Sequence, residues 1–303
     1  MRTVFVLCAT CYLFVSLHSI ALAWQVTLTK GALPDTSIAV DKDKKNFFFL
    51  REDCTKESLV PCTTGKVDGD KQVLHDLKTP EGIYFVQKHI PRGLDFREYG
   101  GRAFTLDYPN PVDILRGKTG SGIWIHSKGY GLVPTRGCVA IGLNDLIQAE
   151  KRIRRGMPVI IAETIECKEK DPESEIALAF KNRMLDWAKA WGARSERMFS
   201  FYDAKSYSRT TEPFDAFRKN KERIFKTHGP IQLKTHGVSV LEGPGYWVTF
   251  AKQSYASEQH KSEGLRILYW MPRGQHMRIV GMRWMTTHNE PPVQYLESRK
   301  AKP

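Results

Sequence analysis

The sequence predicts two domains, the first mainly β and the second α+β. Short apolar, β-rich runs recur through the first half and are separated by Gly, Pro, Asp and Asn, as is typical between strands. A charged, Pro-containing segment over 168–173 follows, and after it helical periodicity precedes strand-like runs. With 303 residues, 41% of them apolar, the chain is long enough to form about two hydrophobic cores.

The strand-like runs of the first half each hold three or four apolar residues. They are Phe47 to Leu50, Ile83 to Val86, Ala103 to Leu106, Ile123 to Ile125, Val139 to Ile141 and Val159 to Ala162. A helix is predicted from about Asn144 to Arg155, with Leu146, Ile147 and Ile153 on its inner side and Gly156 at its end.

The second half begins with a helical stripe. Ile176, Phe180, Met184, Trp187 and Trp191 recur at spacings of four, four, three and four, which places them on one face of an amphipathic helix. A stripe of this kind is typical of a packed core and not of a ligand site.

Further elements complete the second domain. A second helix is predicted over 214–226, and strands are predicted over 245–250, 265–270 and 276–285. The polar, Pro-containing tail over 290–303 is predicted to be disordered.

The first 23 residues have the features of a signal peptide. Arg2 precedes an apolar stretch that ends on Ala21-Leu22-Ala23, a small-x-small pattern typical of a signal peptidase site. We therefore expect a mature chain that begins at Trp24 and is exported to the periplasm. An uncleaved anchor is the alternative, because the stretch approaches the ~20 residues needed to span a bilayer. No later segment is long and apolar enough to do so.

The chain is strongly basic. Its formal net charge is +13, and cleavage of the leader removes only the charge of Arg2. The Lys and Arg residues are scattered, without an aromatic-interleaved basic stripe, so nucleic acid is not an expected partner. In an exported protein the charge would attract anionic envelope polymers or simply maintain solubility.

Cysteine spacing bears on disulfides and metals. The leader takes two of the six cysteines and leaves Cys54, Cys62, Cys138 and Cys167, with no CxxC pair that would indicate zinc or dithiol chemistry. In an oxidising compartment we expect a local disulfide between Cys54 and Cys62, which flank Pro61. Cys167 then has no evident partner except Cys138. No His, Cys and Asp cluster has ligand spacing, so no metal or other cofactor is expected.

The segment SGIWIHSKGYGLVPTRGCVAI contains a candidate nucleophile and base. His126 ends an apolar strand, and Cys138 follows twelve positions later, after a Gly-containing loop. A neighbouring His supplies the thiolate that attack on a carbonyl requires. Gly137 permits a tight turn in which the N–H groups of residues 137 and 138 converge on an oxyanion. The alternative is that Cys138 is a buried structural residue and that His126 has its hydrogen bonds satisfied within the fold, so that neither residue is catalytic.

Several motifs decide between these alternatives, and they occur in one order along the chain. They are Ser37-Ile38-Ala39-Val40-Asp41 before the Phe47 strand, Leu77-Lys78-Thr79-Pro80-Glu81-Gly82, Ile125-His126, and Thr135-Arg136-Gly137-Cys138-Val139. With these motifs, residues 36–165 resemble the catalytic domain of L,D-transpeptidases, the YkuD-like family. The resemblance implies a β-sandwich or barrel with one or two helices.

The resemblance also implies roles for individual residues. Cys138 would be the nucleophile and His126 its base, with the Ser127 carbonyl orienting the imidazole and the Gly137 and Cys138 N–H groups forming the oxyanion hole. The substrate would be a peptidoglycan tetrapeptide stem, attacked at the L-centre carbonyl of its third residue, so that D-Ala leaves and a thioester remains. An amine of another stem would then give transpeptidation, and water would give carboxypeptidase trimming.

The chain departs from the family pattern at several positions. Ser127 stands where Gly is frequent, Thr135-Arg136 replace the usual Ser-His, and Ala140 replaces a frequent Arg. We assign Arg136, Thr135 and Tyr130 as candidate substrate-binding residues, with a solvated loop position as the alternative for Arg136.

The second domain resembles the nuclear transport factor 2-like fold, a cone of helices and curved sheet. Its cone-shaped pocket would bind glycan or peptide, or the domain would serve stability alone. This domain order resembles a subgroup of cell-shape L,D-carboxypeptidases, which favours hydrolysis, wall remodelling and a role in cell shape. The alternatives are cross-linking of stems or attachment of proteins to them, removal of adducts from stems, and non-catalytic peptidoglycan binding.

The sequence therefore predicts five segments. They are a signal peptide over 1–23, a catalytic domain over 24–167, a linker over 168–175, a nuclear transport factor 2-like domain over 176–289 and a tail over 290–303.

Overall fold

The structure, a computed structural model, describes residues 23–29, 33–168 and 175–286. The predicted signal peptide up to residue 22, the predicted linker over 169–174 and the predicted tail lie outside the described residues. Along the part that is described, no helix is long and apolar enough to cross a bilayer.

The first domain is mainly β, as predicted. Its strands are β1 (Gln25–Thr29), β2 (Thr36–Asp41), β3 (Asn46–Arg51), β4 (Lys56–Thr63), β5 (Gly82–Ile90), β6 (Ala103–Leu106), β7 (Trp124–Ser127), β8 (Val139–Ile141), β9 (Pro158–Ala162) and β10 (Thr164–Lys168), and its helices are α1 (Phe96–Tyr99), α2 (Pro111–Leu115) and α3 (Leu143–Glu150). Strands β2 to β9 close into a barrel in the order β2-β3-β4-β8-β7-β6-β5-β9, and β1 pairs with β10 beside it. The predicted helix over 144–155 is shorter than expected, because α3 ends at Glu150.

Several barrel strands contain continuous apolar runs because both of their faces are buried there. On β3, Phe47 and Phe49 lie in the cluster inside the barrel, whereas Phe48 and Leu50 lie in a second cluster. Side chains alternate between the two faces of a strand, so a run without polar residues indicates packing on both sides. The second cluster contains residues of the C-terminal domain, and the rings of Phe85 and Phe250 meet there at 5.2 Å.

The second domain is α+β. It comprises α4 (Glu175–Gly192), a 3-10 helix (Glu196–Phe201), α5 (Ala204–Thr210), α6 (Phe214–Thr227), β11 (Gln232–Gly243), β12 (Tyr246–Ala256), β13 (Lys261–Arg273) and β14 (His276–Thr286). The four strands form an antiparallel sheet in sequence order, and their inner face packs against the helices.

The helical stripe of α4 behaves as predicted except at its first position. Phe180, Met184, Trp187 and Trp191 are buried in the core of this domain. Ile176, however, is 52% exposed, so its place in the buried stripe was wrong: it lies in the first turn, ahead of the part of α4 that packs on the sheet.

The disulfide differs from the prediction. Cys54 is bonded to Cys167, and the predicted bond between Cys54 and Cys62 is wrong. Cys62 lies on β4 and points into the barrel interior, whereas Cys54 and Cys167 pack against the cluster on the outer side. The two cysteines that are close in sequence therefore face opposite sides of the barrel wall.

Polar contacts fix the two domains to each other. The Tyr246 hydroxyl accepts hydrogen bonds from the Ile83 N–H (2.8 Å) and from the Asn110 side-chain amide (3.2 Å). Across the same interface, the Tyr269 hydroxyl donates to Asp107 (3.1 Å). The four side chains are buried, so losing these contacts would leave polar atoms without a partner at the interface.

Candidate active site

Two neighbouring barrel strands carry the predicted nucleophile and base. Strands β7 and β8 pair in parallel, with His126 opposite Ala140. Cys138 lies two residues before Ala140, at the entry to β8, so the thiol and the imidazole come from adjacent strands. The structure thus places the two residues that the motif analysis selected on adjacent strands.

Cys138 is a partly exposed residue with a free thiol. It donates a hydrogen bond to the carbonyl of Gly122 (3.4 Å). Burial raises the pKa of this thiol above its ordinary value of 9.0, against the opposing effects of the Trp124 N–H and of the Lys128 and Lys71 ammonium groups. The thiol therefore needs a base when it attacks.

His126 is held in the tautomer that a base requires. Its Nδ1 lies 2.8 Å from the Ser127 carbonyl oxygen, and because a carbonyl only accepts hydrogen bonds, Nδ1 carries the proton. The Nε2 lone pair is then available. Burial lowers the pKa of His126 below 6.5, and Lys128 acts in the same direction, while the Ser127 carbonyl and Glu98 oppose this shift. The ring of Tyr99 packs edge-on against the imidazole, with centroids 5.2 Å apart.

The loop before Cys138 is held in place by the side chain of Thr135. The Gly137 N–H donates to the Thr135 hydroxyl (3.0 Å), and that hydroxyl donates to the Cys138 carbonyl (2.7 Å). Gly137 has a φ of 130°, and a Cβ atom there would lie 2.7 Å from the Lys78 carbonyl oxygen, so no other residue fits this position without strain.

This geometry bears on two of the predicted roles. Thr135 is buried and its hydroxyl is paired within the loop, and its assignment as a substrate-binding residue stays a prediction. The Gly137 N–H is already paired, so it can contact an oxyanion only if that hydrogen bond is exchanged. Arg136 and Tyr130 are exposed, Tyr130 by 76%, and the ring of Tyr130 lies edge-on to Phe96 at 5.6 Å. Their substrate contacts remain predictions.

The charged residues around the site were not found from the sequence. Lys128 pairs with Glu98 (2.7 Å) and Lys71 pairs with Asp76 (2.7 Å), which places two neutralised cations near the thiol. The position of Lys128 two residues beyond His126 was the one available signal. Within the described ranges, no group of three or more His, Cys, Asp and Glu side chains is arranged to hold a metal.

Two segments of the chain match models of known protein families. A model of the L,D-transpeptidase catalytic domain, YkuD, matches residues 35–161. Residues 35–161 are an L,D-transpeptidase catalytic domain. Residues 179–282 match the C-terminal NTF2-like domain of Cds6, so the predicted order of an L,D-transpeptidase domain and a nuclear transport factor 2-like domain is confirmed. No curated protein sequence matches the chain.

Solved structures are similar to this chain over both of its domains. Bd1075 of Bdellovibrio bacteriovorus is similar with a TM-score of 0.63 and 24% identity, over 86% of this chain and 95% of that one. The helical cell shape determining protein Pgp2 of Campylobacter jejuni is similar with a TM-score of 0.61 and 25% identity, over 84% and 95% of the two chains. The likeness extends over both domains and shows that the arrangement of the L,D-transpeptidase domain with its partner domain recurs.

Proposed function

We propose that this protein is an exported L,D-carboxypeptidase that trims peptidoglycan tetrapeptide stems to tripeptides through a thioester on Cys138. The observation that carries the proposal is the free thiol of the partly exposed Cys138 beside the strand of His126, whose Nδ1 is fixed by the Ser127 carbonyl. L,D-transpeptidase domains act on peptidoglycan, which supplies the substrate class.

Acylation would begin from a neutral thiol and a neutral imidazole. Sγ of Cys138 attacks the carbonyl carbon of the third stem residue while Nε2 of His126 takes the thiol proton. The oxyanion that develops is stabilised by the Cys138 N–H. When the intermediate collapses, the bond to the D-Ala nitrogen breaks, His126 returns its proton to that nitrogen, and free D-Ala and a thioester result.

Deacylation would use water in place of the thiol. The water oxygen attacks the thioester carbon, His126 accepts a water proton, and Sγ leaves and is reprotonated by the imidazolium. The products are a tripeptide stem and the original enzyme. The choice of water over an amine rests on the resemblance of the domain order to cell-shape L,D-carboxypeptidases. We extend a role in cell shape to this chain because it is similar to Pgp2, a helical cell shape determining protein.

Export is part of the proposal. The Ala21-Leu22-Ala23 pattern supports cleavage before Trp24, and the Cys54–Cys167 disulfide suits an oxidising compartment. A periplasmic location would bring the enzyme to its substrate.

The test is mass spectrometry of tetrapeptide muropeptides incubated with residues 24–303. We expect a tripeptide product and free D-Ala from the native enzyme and from Cys62→Ala, and neither from Cys138→Ala. Cys62 is the matched control because its thiol is also free but is buried in the barrel. Release of D-Ala by Cys138→Ala at the native rate would contradict the proposal.

The same spectra separate the alternatives. Dimers joined between two third residues would identify a transpeptidase, and release of a fragment larger than D-Ala would identify removal of adducts. Retention on sacculi without any product would identify a binding protein.

A further inference from the structure

A buried carboxylate lies close to the predicted start of the mature chain. Glu81 has a side chain that is 1% exposed, and its two oxygens have different partners. Oε1 pairs with the Lys42 ammonium at 2.5 Å, and Oε2 accepts a hydrogen bond from the backbone nitrogen of Trp24 at 2.6 Å. Each oxygen of the carboxylate is therefore directed at a nitrogen.

The charges of this cluster do not balance. Lys42 is 3% exposed and also lies 3.3 Å from Glu163, so one ammonium group faces two carboxylates. Among the described residues, Glu163 Oε2 is a buried atom without a hydrogen bond, and its one close cation is the Lys42 ammonium, although the Glu163 side chain as a whole is 26% exposed. Burial of a carboxylate without a full countercharge is costly, so the site would be stabilised by one further positive charge.

The backbone of Trp24 is fixed in place from several sides. Its carbonyl accepts a hydrogen bond from the Glu163 N–H (2.9 Å), and its indole packs against the core cluster shared by the two domains. The next residue, Gln25, begins β1, which pairs in parallel with β10. These contacts hold the Trp24 nitrogen at the carboxylate, whereas Ala23 is exposed.

We propose that Glu81 is a binding site for the α-ammonium group that signal-peptide cleavage creates on Trp24. The inference rests on the proposed export and on cleavage after Ala23. Hydrolysis of that peptide bond adds water and leaves a carboxylate on Ala23 and, after protonation, an ammonium group on Trp24. The Trp24 nitrogen donates its hydrogen bond as a neutral amide in the precursor. After cleavage the same nitrogen carries the positive charge that the cluster lacks.

The site is next to the catalytic loop. Glu81 belongs to the Thr-Pro-Glu-Gly turn, whose Thr79 hydroxyl accepts a hydrogen bond from the Gly65 N–H (2.8 Å). The carbonyl of Lys78, at the start of the same turn, lies against Gly137. Processing would therefore fix the turn that packs behind the nucleophile, and it would make the mature chain more stable than its precursor.

The test compares two chains that differ by one residue. One begins at Trp24 and the other at Ala23, each released from a fusion without any added residue, and each is also made with Glu81→Gln. The longer chain keeps the neutral hydrogen bond but moves its amine about 3.8 Å along the chain, to an exposed position. We expect the chain from Trp24 to melt roughly 3–8 °C higher, and the difference to disappear with Glu81→Gln.

A control and a second readout keep the result interpretable. Glu57→Gln removes a more exposed carboxylate that pairs with Arg152, and it should leave the difference between the two chains intact. In the two chains that keep Glu81, acylation of the α-amine at pH 7 should be about tenfold slower for Trp24 than for Ala23. This comparison does not depend on whether the Glu81→Gln variants fold.

Equal melting temperatures, equal acylation rates, or a difference that persists with Glu81→Gln would overturn the inference. N-terminal sequencing of the exported protein tests cleavage separately, and a first residue other than Trp24 would show that export does not supply this ammonium group. Muropeptide trimming is measured independently of both, so failure of the proposed activity is distinguishable from failure of the amine site.

Discussion

Replacement of Asp107 by Asn should change how stability depends on pH, because this carboxyl is buried between the two domains. Its Oδ1 accepts a hydrogen bond from the Phe85 N–H (2.7 Å), and its Oδ2 accepts one from the Tyr269 hydroxyl (3.1 Å). Burial raises the pKa of Asp107 from 3.8 to about 6, although the Phe85 N–H, Arg283 and the Tyr269 hydroxyl all act to lower it.

The magnitude follows from the difference between the folded and unfolded pKa values. Between pH 3.8 and about 6 the folded chain holds a proton on Asp107 that the unfolded chain has lost. Stability therefore falls as the pH rises through this window and levels off above it. A pKa raised from 3.8 to about 6 corresponds to about 3 kcal/mol at neutral pH.

Urea unfolding of the native chain and of Asp107→Asn at pH 4.5 and 7.5 measures this directly. Asn resembles the protonated carboxyl in shape, so the native chain should lose about 2 kcal/mol relative to the variant between the two pH values, because at pH 4.5 the unfolded chain has already lost most of its Asp107 proton. Taking the difference between the two proteins cancels the titration of other groups. A difference that is the same at both pH values would refute the reasoning.

Three further predictions concern the cysteines and the base. Replacing both Cys54 and Cys167 by Ala should lower the free energy of unfolding by about 2–4 kcal/mol in denaturant titrations, because the disulfide closes a loop with a sequence separation of 113; no loss would contradict this. The acid limb of kcat/KM should have its midpoint below pH 6.5, since activity is lost as falling pH protonates His126; a midpoint above 6.5 would oppose a neutral base. Iodoacetamide should modify Cys138 faster than Cys62, because burial raises the pKa of Cys62 to about 12. The modification rate at Cys138 should rise up to and beyond pH 9, and a rate independent of pH would indicate a preformed thiolate.

The sequence predicted well those features that depend on local pattern. The runs around Phe47, Ile83 and Val159 are apolar at successive positions because the barrel strands are buried on both faces, and this signal is visible without a structure. His126 and Cys138 were selected from one contiguous motif, and the structure places that motif on neighbouring strands, with His126 on β7 and Cys138 just before β8; their catalytic roles stay predictions.

Features that depend on contacts between distant segments were missed. Strand β11 was not predicted because most of its side chains are not fully buried, so no continuous apolar run marks it. The partner of Cys54 depends on which face of the barrel wall each cysteine occupies, and sequence proximity favoured the wrong one. The two hydrogen bonds of Thr135 within its own loop were not predicted either, because residue type alone does not show which groups a hydroxyl contacts.

The most direct test of the account is the intact mass of the enzyme after brief incubation with a tetrapeptide stem and an acid quench. We predict an adduct equal to the tripeptide acyl group, located by digestion on the peptide that contains Cys138, present in Cys62→Ala and absent from Cys138→Ala. Release of D-Ala without any adduct, at a rate unchanged by Cys138→Ala, would contradict the account.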